Sequence, residues 1–311
     1  MVTGAGGFVG RNLLETLSGT DGYFCSALSR SAVSIEGVRS LRFDGFEDLN
    51  SLDRSLQGQD VVIHCAARAH VMNETETDSL AAYRKINVEG TLNLARAALT
   101  AGVKRFIFIS SIKVNGESTP EDLVFTASDL PKPEDPYGVS KHEAEVALRR
   151  LVEGSSMELV IIRPPLVYGP GVKGNFETLV KLCRKGLPLP FGAINNARSY
   201  VAIDNLVSFI IRCIDHPKAA DQTFLVSDGN DLSTTALLTA VGQALGARLP
   251  LLPVPSTWLI SILRLFGKGP IVDRLFGSLR VDITKNFELL GWKPEVSVEE
   301  GLYRCVKGYR E

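Results

Sequence analysis

Tyr137 and Lys141 stand four residues apart in PYGVSKHEAE, residues 136–145. Pro136 suits a first helical turn, and the KHEAEVALRRL that follows the motif is rich in helix formers, so the stretch predicts a helix. Positions i and i+4 share one helix face, so the phenol and the ammonium point the same way. What such a pair could do together is acid–base chemistry. Taken alone, the pattern reads more simply as a solvated Lys beside a half-buried Tyr. A second feature changes the weighting. The chain opens MVTGAGGFVGRNLLETL, a strand, a glycine turn and a helix, with Gly4, Gly7 and Gly10 in the turn. Glycines so spaced allow a tight turn, close approach of backbone to a pyrophosphate and close helix packing, with the helix N-terminus facing the phosphates.

The elements that must position these residues follow in series. YFCSALSR (23–30), VRSLRFD (38–44), DVVIHCAA (60–67), RFIFISS (105–111) and ELVIIRPP (158–165) read as strands, with helical stretches such as 81–102 between them. Strands alternating with helices predict an α/β fold, a Rossmann-type doubly wound parallel sheet. Ligands bind beyond the carboxyl ends of such strands, where Gly10, Asp44, Ala66, Ser111 and Pro164 fall. The second half is less regular. VYGPGVKGNF (167–176) reads as loop, 197–214 as a short strand and a helix, 222–229 as one more strand, 232–245 as an amphipathic helix, and 282–309 as two short helices around a turn. These boundaries give a domain over 1–165, whose glycine turn suits a dinucleotide, and a smaller domain over 166–311, mainly for substrate, with segments near 200–228 returning to the first.

The bulk composition narrows the classes. The 311 residues are 45% hydrophobic and 22% charged, with a net charge of -1, which is ordinary globular composition without a basic stripe for nucleic acid. Cys25, Cys65, Cys183, Cys213 and Cys305 are scattered, with no CxxC and no zinc spacing, and read as reduced thiols rather than disulfides or metal ligands. TWLISILRLF (257–266) is too short to span a bilayer and carries Arg264, so it reads as an amphipathic helix packed on its own protein, with peripheral membrane contact as the minor alternative. No signal peptide is evident, and the expected compartment is the cytoplasm, without membrane insertion.

Taken together, TGAGGFVG, DVVIHCAA, NVEGT, FISS, PYGVSK, RPPLVYGPG, RSYVAIDNL and LGWKP occur in the order found in the extended short-chain dehydrogenase/reductase family. The chain resembles its NAD-dependent sugar-nucleotide epimerase/dehydratase branch over nearly its whole length. The resemblance implies that Tyr137 is the general acid/base, that Lys141 favours the phenolate, and that Ser111 hydrogen-bonds the reacting sugar oxygen. A free Tyr has a pKa of about 10, so it needs such help near neutrality. The resemblance places the cofactor, NAD or NADP, against Gly4, Gly7, Phe8, Gly10, Arg30, Asp44, Ala66, Ala67, Tyr137, Lys141 and Pro164. On the substrate side it implies Ser111, Lys113, Tyr137, Asn175 and Arg198, with Tyr168 and Lys173 as weaker candidates. The Arg198 fork suits phosphate, although a surface ion pair would also use it. Asn87, in NxxGT, is expected to be structural. Homodimers are common in the family, through a helix bundle that would include 137–151.

Three departures bear on function. Ile112-Lys113 replaces the Asp-Glu pair of the family's dehydratases, so elimination of water lacks its acid. Lys113 then either meets a carbonyl or phosphate of the substrate or stands as a solvated loop Lys, and Asn115 in VNG, where the family commonly has VYG, leaves substrate choice open. Ser29-Arg30 stands where an acid usually binds the ribose, so Arg30 could accept the extra phosphate of NADP. Only Met1, Val2 and Thr3 precede Gly4, whereas a central strand needs about 5 residues. The expectation is that a few native N-terminal residues are missing, which the intact mass of the protein from its native source would check. The expected activity is oxidoreduction at C4 of a nucleotide-diphosphate sugar, as 4-epimerase or as 4-keto reductase or dehydrogenase. SSIKVNGE followed by DPYGVSK is most similar to bacterial surface-polysaccharide enzymes of the UDP-glucose 4-epimerase-like or UDP-N-acetylquinovosamine dehydrogenase-like kind, which points to a UDP-hexosamine. A reductase of small carbonyls, of flavonol or hydroxysteroid type, and a non-catalytic NAD(P)-binding protein are the alternatives.

Overall fold

Seven parallel strands form the central sheet of the computed structural model, which describes residues 1–69, 78–120, 122–267 and 269–308. In chain order the first half runs β1 (Val2–Thr3), α1 (Phe8–Ser18), β2 (Cys25–Ser29), β3 (Val38–Arg42), α2 (Leu49–Leu56), β4 (Val61–His64), α3 (Ser79–Arg84), α4 (Thr91–Thr100), β5 (Arg105–Ile109), α5 (Pro136–Val152) and β6 (Glu158–Arg163). The second runs β7 (Leu166–Tyr168), α6 (Asn175–Arg184), β8 (Tyr200–Ala202), α7 (Ile203–Asp215), β9 (Thr223–Leu225), α8 (Thr234–Ala244), α9 (Ser256–Leu265), α10 (Gly269–Phe276), α11 (Thr284–Leu290) and α12 (Val298–Lys307). The sheet order is β3-β2-β1-β4-β5-β6-β9. The chain builds outward from β1 to β3 and then restarts on the other side at β4, so the switch point that opens a ligand crevice lies between β1 and β4.

Strands buried on both faces read as continuous apolar runs, and the central ones do: Phe106 to Phe108 and Leu159 to Ile162 are buried throughout. One face of the sheet packs on Leu13, Leu14 and Leu17 of α1 and Leu206, Phe209 and Ile210 of α7. The other packs on Leu52 and Leu56 of α2, Leu94 and Ala98 of α4, and Ala144 and Leu148 of α5. A separate cluster joins Phe176 and Val180 of α6, Leu238 and Val241 of α8, and Leu302 and Cys305 of α12. The seventh strand, β9, returns from the second half of the chain to pair with β6. All five cysteines are free thiols, three of them buried.

Several elements differ from the sequence reading. Residues 167–176 are not all loop: Val167 and Tyr168 pair in parallel with Val201 and Ala202, a partner too distant in sequence for local signals to show, and α6 begins at Asn175. The helix read over 81–102 is broken by a π-helical turn at Lys85–Gly90, which re-aims Asn87 inward. The 257–266 helix exists as α9 and packs against α10 with Leu259, Ile260 and Leu263 half-buried, although none of its side chains is fully buried. Tyr309, the last residue of the two-helix tail reading, lies outside the described residues. Among the described residues no helix is long and apolar enough to cross a membrane.

Candidate active site

The glycine turn between β1 and α1 is a cradle that only glycine permits. Gly4 sits at φ +66°, and a Cβ there would lie 2.6 Å from the Ala66 nitrogen. A Cβ on Gly10 would lie 2.5 Å from the Gly4 carbonyl oxygen. The Gly7 N–H donates to that same oxygen at 2.8 Å, closing the turn. Helix α1 starts at Phe8 with no side-chain cap, so its first-turn N–H groups and positive end are open to an anion. The Phe8 ring packs between the sheet core and the C-terminal cluster, which leaves its backbone as the part of Phe8 that could meet a phosphate. Ala66 is half-buried and Ala67 exposed past β4, across the turn. Arg30 and Asp44 are exposed past the ends of β2 and β3. Shape and donor set therefore fit a dinucleotide.

The candidate acid–base residues come from the start of α5 and the segment just past β5. Asp135 caps α5 by accepting from the Gly138 N–H at 2.6 Å, and Pro136 occupies the first turn. That capped turn fixes Tyr137, whose ring meets Tyr83 edge-on at 6.0 Å. Burial raises the Tyr137 pKa, Asp135 and Tyr83 add to the rise, and a hydrogen bond with Ser111 lowers it. Ser111 also accepts from the Lys113 N–H at 3.3 Å, so it caps its turn as well as facing Tyr137. Lys141, one turn on, is 1% exposed, with Nζ 4.1 Å from the centre of the Phe108 ring. Burial pulls its pKa down to about 7, against the pull of Glu145 and Cys65. Pro164, buried past β6, accepts the Ile112 N–H at 3.0 Å and so ties the Ser111 segment to the sheet.

Sequence reasoning missed the next layer. Glu145 continues the face of Tyr137 and Lys141 by four more residues, the one signal that marks it. It forms a fully buried fork with Arg163, Nη2 to Oε2 at 2.5 Å and Nε to Oε1 at 2.9 Å, and accepts from Ser110. Arg163 donates at 2.9 Å to Asn115, whose amide donates to the Thr126 carbonyl at 3.0 Å. Asn115 is thus a buried partner of Arg163, and both ends of its amide are used within the protein. A second buried chain runs from the glycine turn to α5. Thr3 bonds His64 at 2.6 Å, and His64 bonds Thr91 at 3.0 Å. Thr91 donates to the Asn87 carbonyl at 2.7 Å, the Asn87 amide donates to Ser140 at 2.9 Å, and Ser140 donates to the Tyr137 carbonyl at 2.8 Å.

The substrate-side candidates divide. Lys113 is not a solvated loop Lys: it pairs with Asp135 at 2.5 Å and Glu117 at 2.7 Å, beside Ser111 and Tyr137. Burial would lower its pKa, but those two hydrogen bonds outweigh it and raise it. Arg198 is half-buried and donates to the Gly277 carbonyl at 2.9 Å. Glu117 lies close enough to favour the charge of Arg198 against its desolvation. Ser111, Tyr137, Lys141 and Lys113 therefore come together, with Arg198 reached through Glu117. Asn175 is exposed at the first turn of α6, and Lys173 is exposed in the preceding loop. Tyr168 is a core residue and not a ligand: it is 1% exposed, donates to Asp228 at 2.8 Å and stacks on Phe176.

The profile of the NAD dependent epimerase/dehydratase family matches residues 1–227. The chain belongs to that family. UDP-glucose 4-epimerase of Vibrio cholerae is 49% identical over 311 residues, covering 99% of this chain and 94% of the relative. N-acetyl-alpha-D-glucosaminyl-diphospho-ditrans,octacis-undecaprenol 4-epimerase of Escherichia coli O157:H7 is 30% identical over 269 residues, covering 82% of this chain and 75% of the relative. Among solved structures, UDP-glucose 4-epimerase of Thermotoga maritima with UDP-glucose is similar at a TM-score of 0.77 and 26% identity, covering 99% of this chain and 97% of that one. The protein is accordingly an NAD-dependent sugar-nucleotide epimerase/dehydratase of the extended short-chain dehydrogenase/reductase type. The family is NAD-dependent, and NAD carries no 2′-phosphate, the group that Arg30 could accept from NADP.

Proposed function

We propose that the protein is a 4-epimerase of a UDP-linked hexose or hexosamine. The observation that carries this reading is buried Lys141 on the same face of α5 as Tyr137, with Ser111 close enough to Tyr137 to favour its phenolate. NAD, when bound, accepts a hydride from C4 of the sugar and returns it. In the oxidising step the Tyr137 phenolate takes the proton of the C4 hydroxyl while Ser111 donates a hydrogen bond to that oxygen. In the return step Tyr137 gives the proton back once the 4-keto sugar has presented its other face. In this reading protonated Lys141, on the same face of α5, favours the phenolate against the burial that raises the Tyr137 pKa, and Glu145 favours the charge of that Lys against its own desolvation. Arg198 supplies a fork for the diphosphate, and Asn175 at the first turn of α6 offers an amide to the same group.

Elimination is disfavoured on chemical grounds, because Ile112 and Lys113 stand where a dehydratase holds its acids. Lys113 is also engaged by two carboxylates, so it has no proton acceptor to offer. The Vibrio cholerae relative supports the 4-epimerase reading by its name and by 49% identity along the chain. The test is to incubate purified protein with UDP-glucose and with UDP-N-acetylglucosamine, without added cofactor, and to follow the C4 epimers. Denaturing the protein then releases any bound nicotinamide nucleotide for identification. Epimer formation with near-stoichiometric bound NAD is expected. Turnover only with added cofactor, yielding a keto sugar, would replace the epimerase by a dehydrogenase or reductase.

A further inference from the structure

Helix α9 leaves one row of apolar side chains uncovered, while Leu259, Ile260 and Leu263 are half-buried. Trp258 is 68% exposed, Ile262 52%, Leu265 84%, and Phe266, just past the helix, 72%. Trp258, Ile262 and Leu265 recur at i, i+4 and i+7, and Phe266 at i+8, which puts all four on one helical face. Soluble proteins rarely leave such a contiguous stripe bare unless something covers it. Segment 248–274 carries Arg248, Arg264, Lys268 and Arg274 against Asp273 alone, a net charge of +3 within a chain whose total is -1. Arg264 and Arg274 are themselves exposed.

We infer that α9 and its basic flank dock this protein on a lipid bilayer bearing anionic headgroups. A helix with Trp, Phe and Leu on one face and basic residues at its border lies in the plane of a membrane interface, with the apolar side chains among the acyl chain ends. Its ten residues give a length of about 15 Å, enough to lie on a bilayer and too short to cross it. Charge complementarity separates this occupant from a second copy of the chain. A two-fold dimer through α9 would bring two patches of like positive charge together, whereas anionic headgroups attract them. A stable dimer also needs about 800 Å² per partner, more than one stripe on a helix this short presents. Helix α10 connects the surface to the cleft, because the carbonyls of Asp273 and Gly277 accept from Arg198 at 3.4 and 2.9 Å. The docked face therefore adjoins the side of the cleft where Arg198 lies.

The experiment is co-sedimentation of the full chain with vesicles of phosphatidylcholine containing phosphatidylglycerol, and with vesicles of phosphatidylcholine alone. Trp258 is a built-in reporter, since Trp292, the other tryptophan, is buried. The expected result is binding to the anionic vesicles, weakened by salt, with a blue shift of tryptophan emission. The triple variant Trp258→Ser, Leu265→Ser, Phe266→Ser should lose at least tenfold in bound fraction while keeping the wild-type melting temperature and its turnover of soluble nucleotide sugar. Arg264→Glu should weaken binding to anionic vesicles several-fold. The inference is overturned if the wild type stays in the supernatant, or if the triple variant sediments as the wild type does. It is equally overturned if lipid-free wild type associates in a concentration-dependent way that shields Trp258 and that the triple variant abolishes, because a second copy then covers the face.

Discussion

Helices α5 and α9 treat their side chains in opposite ways. Helix α5 buries an ammonium and a carboxylate, Lys141 and Glu145, each in contact with an opposite charge or a ring. Helix α9 exposes an indole and two other apolar side chains, with Phe266 exposed just past its end. Burying an unpaired charge costs several kcal/mol, so the α5 arrangement persists only because Arg163, Asn115 and Ser110 satisfy Glu145 and its fork. Exposing apolar groups costs far less within the folded molecule, and the exposed row on α9 shows no such supporting layer among the described residues. The difference teaches where each helix acts: α5 towards groups inside the protein, and α9 towards something outside it.

The sharpest way to break the comparison is at Tyr137. Tyr137→Phe should lower kcat by about 10²–10⁴, the range of general acid–base catalysis, with NAD affinity nearly unchanged in a binding titration. If turnover is retained, the α5 face is structural and the contrast with α9 disappears. Next comes Glu145→Ala, which strands the Arg163 charge inside the protein. It should destabilise the fold by about 3–5 kcal/mol in denaturant unfolding, the cost of an uncompensated buried ion. A loss under about 1 kcal/mol would mean that water or another group solvates Arg163.

Titration of Lys141 sharpens the same contrast through pH. Its pKa in the folded protein is lowered from 10.5 to about 7. Between those values the unfolded chain carries the extra proton, so the contribution of Lys141 to stability rises as pH increases through that window. Below it the buried charge opposes folding in full. Lys141→Met should flatten this rise in melting temperature between about pH 7 and pH 10, and an unchanged slope would assign the rise to other groups. His64 acts at the acid end. Burial lowers its pKa to about 3 from 6.5, so stability falls as pH drops from the upper value towards the lower, where the unfolded chain takes up the proton first. The smallest effect is expected at α9. Trp258→Ser should change stability by no more than about 0.5 kcal/mol, as for surface substitutions generally, and a larger loss would show that the Trp258 ring packs on its own protein.

Much of the fold was legible because its signals are local. Parallel strands buried on both faces appear as apolar runs, the Gly4–Gly7–Gly10 turn requires backbone that only glycine allows, and a four-residue spacing puts Tyr137 and Lys141 on one face wherever a helix forms. Those features depend on neighbours within a few residues, so the chain by itself determined them, together with the family. The tertiary structure decided what depends on partners far along the chain. Tyr168 read as a loop ligand until β8 and Asp228, 60 residues away, made it core. Asn115 left substrate choice open, and only the fold shows that Arg163, 48 residues on, takes its amide oxygen. Lys113 stood between a substrate contact and a solvated loop Lys until Asp135, 22 residues away, was seen to hold it. The state of an apolar helix such as α9 cannot be read from periodicity at all, because the pattern fixes which side chains share a face and only the packing of the whole chain decides whether that face is covered.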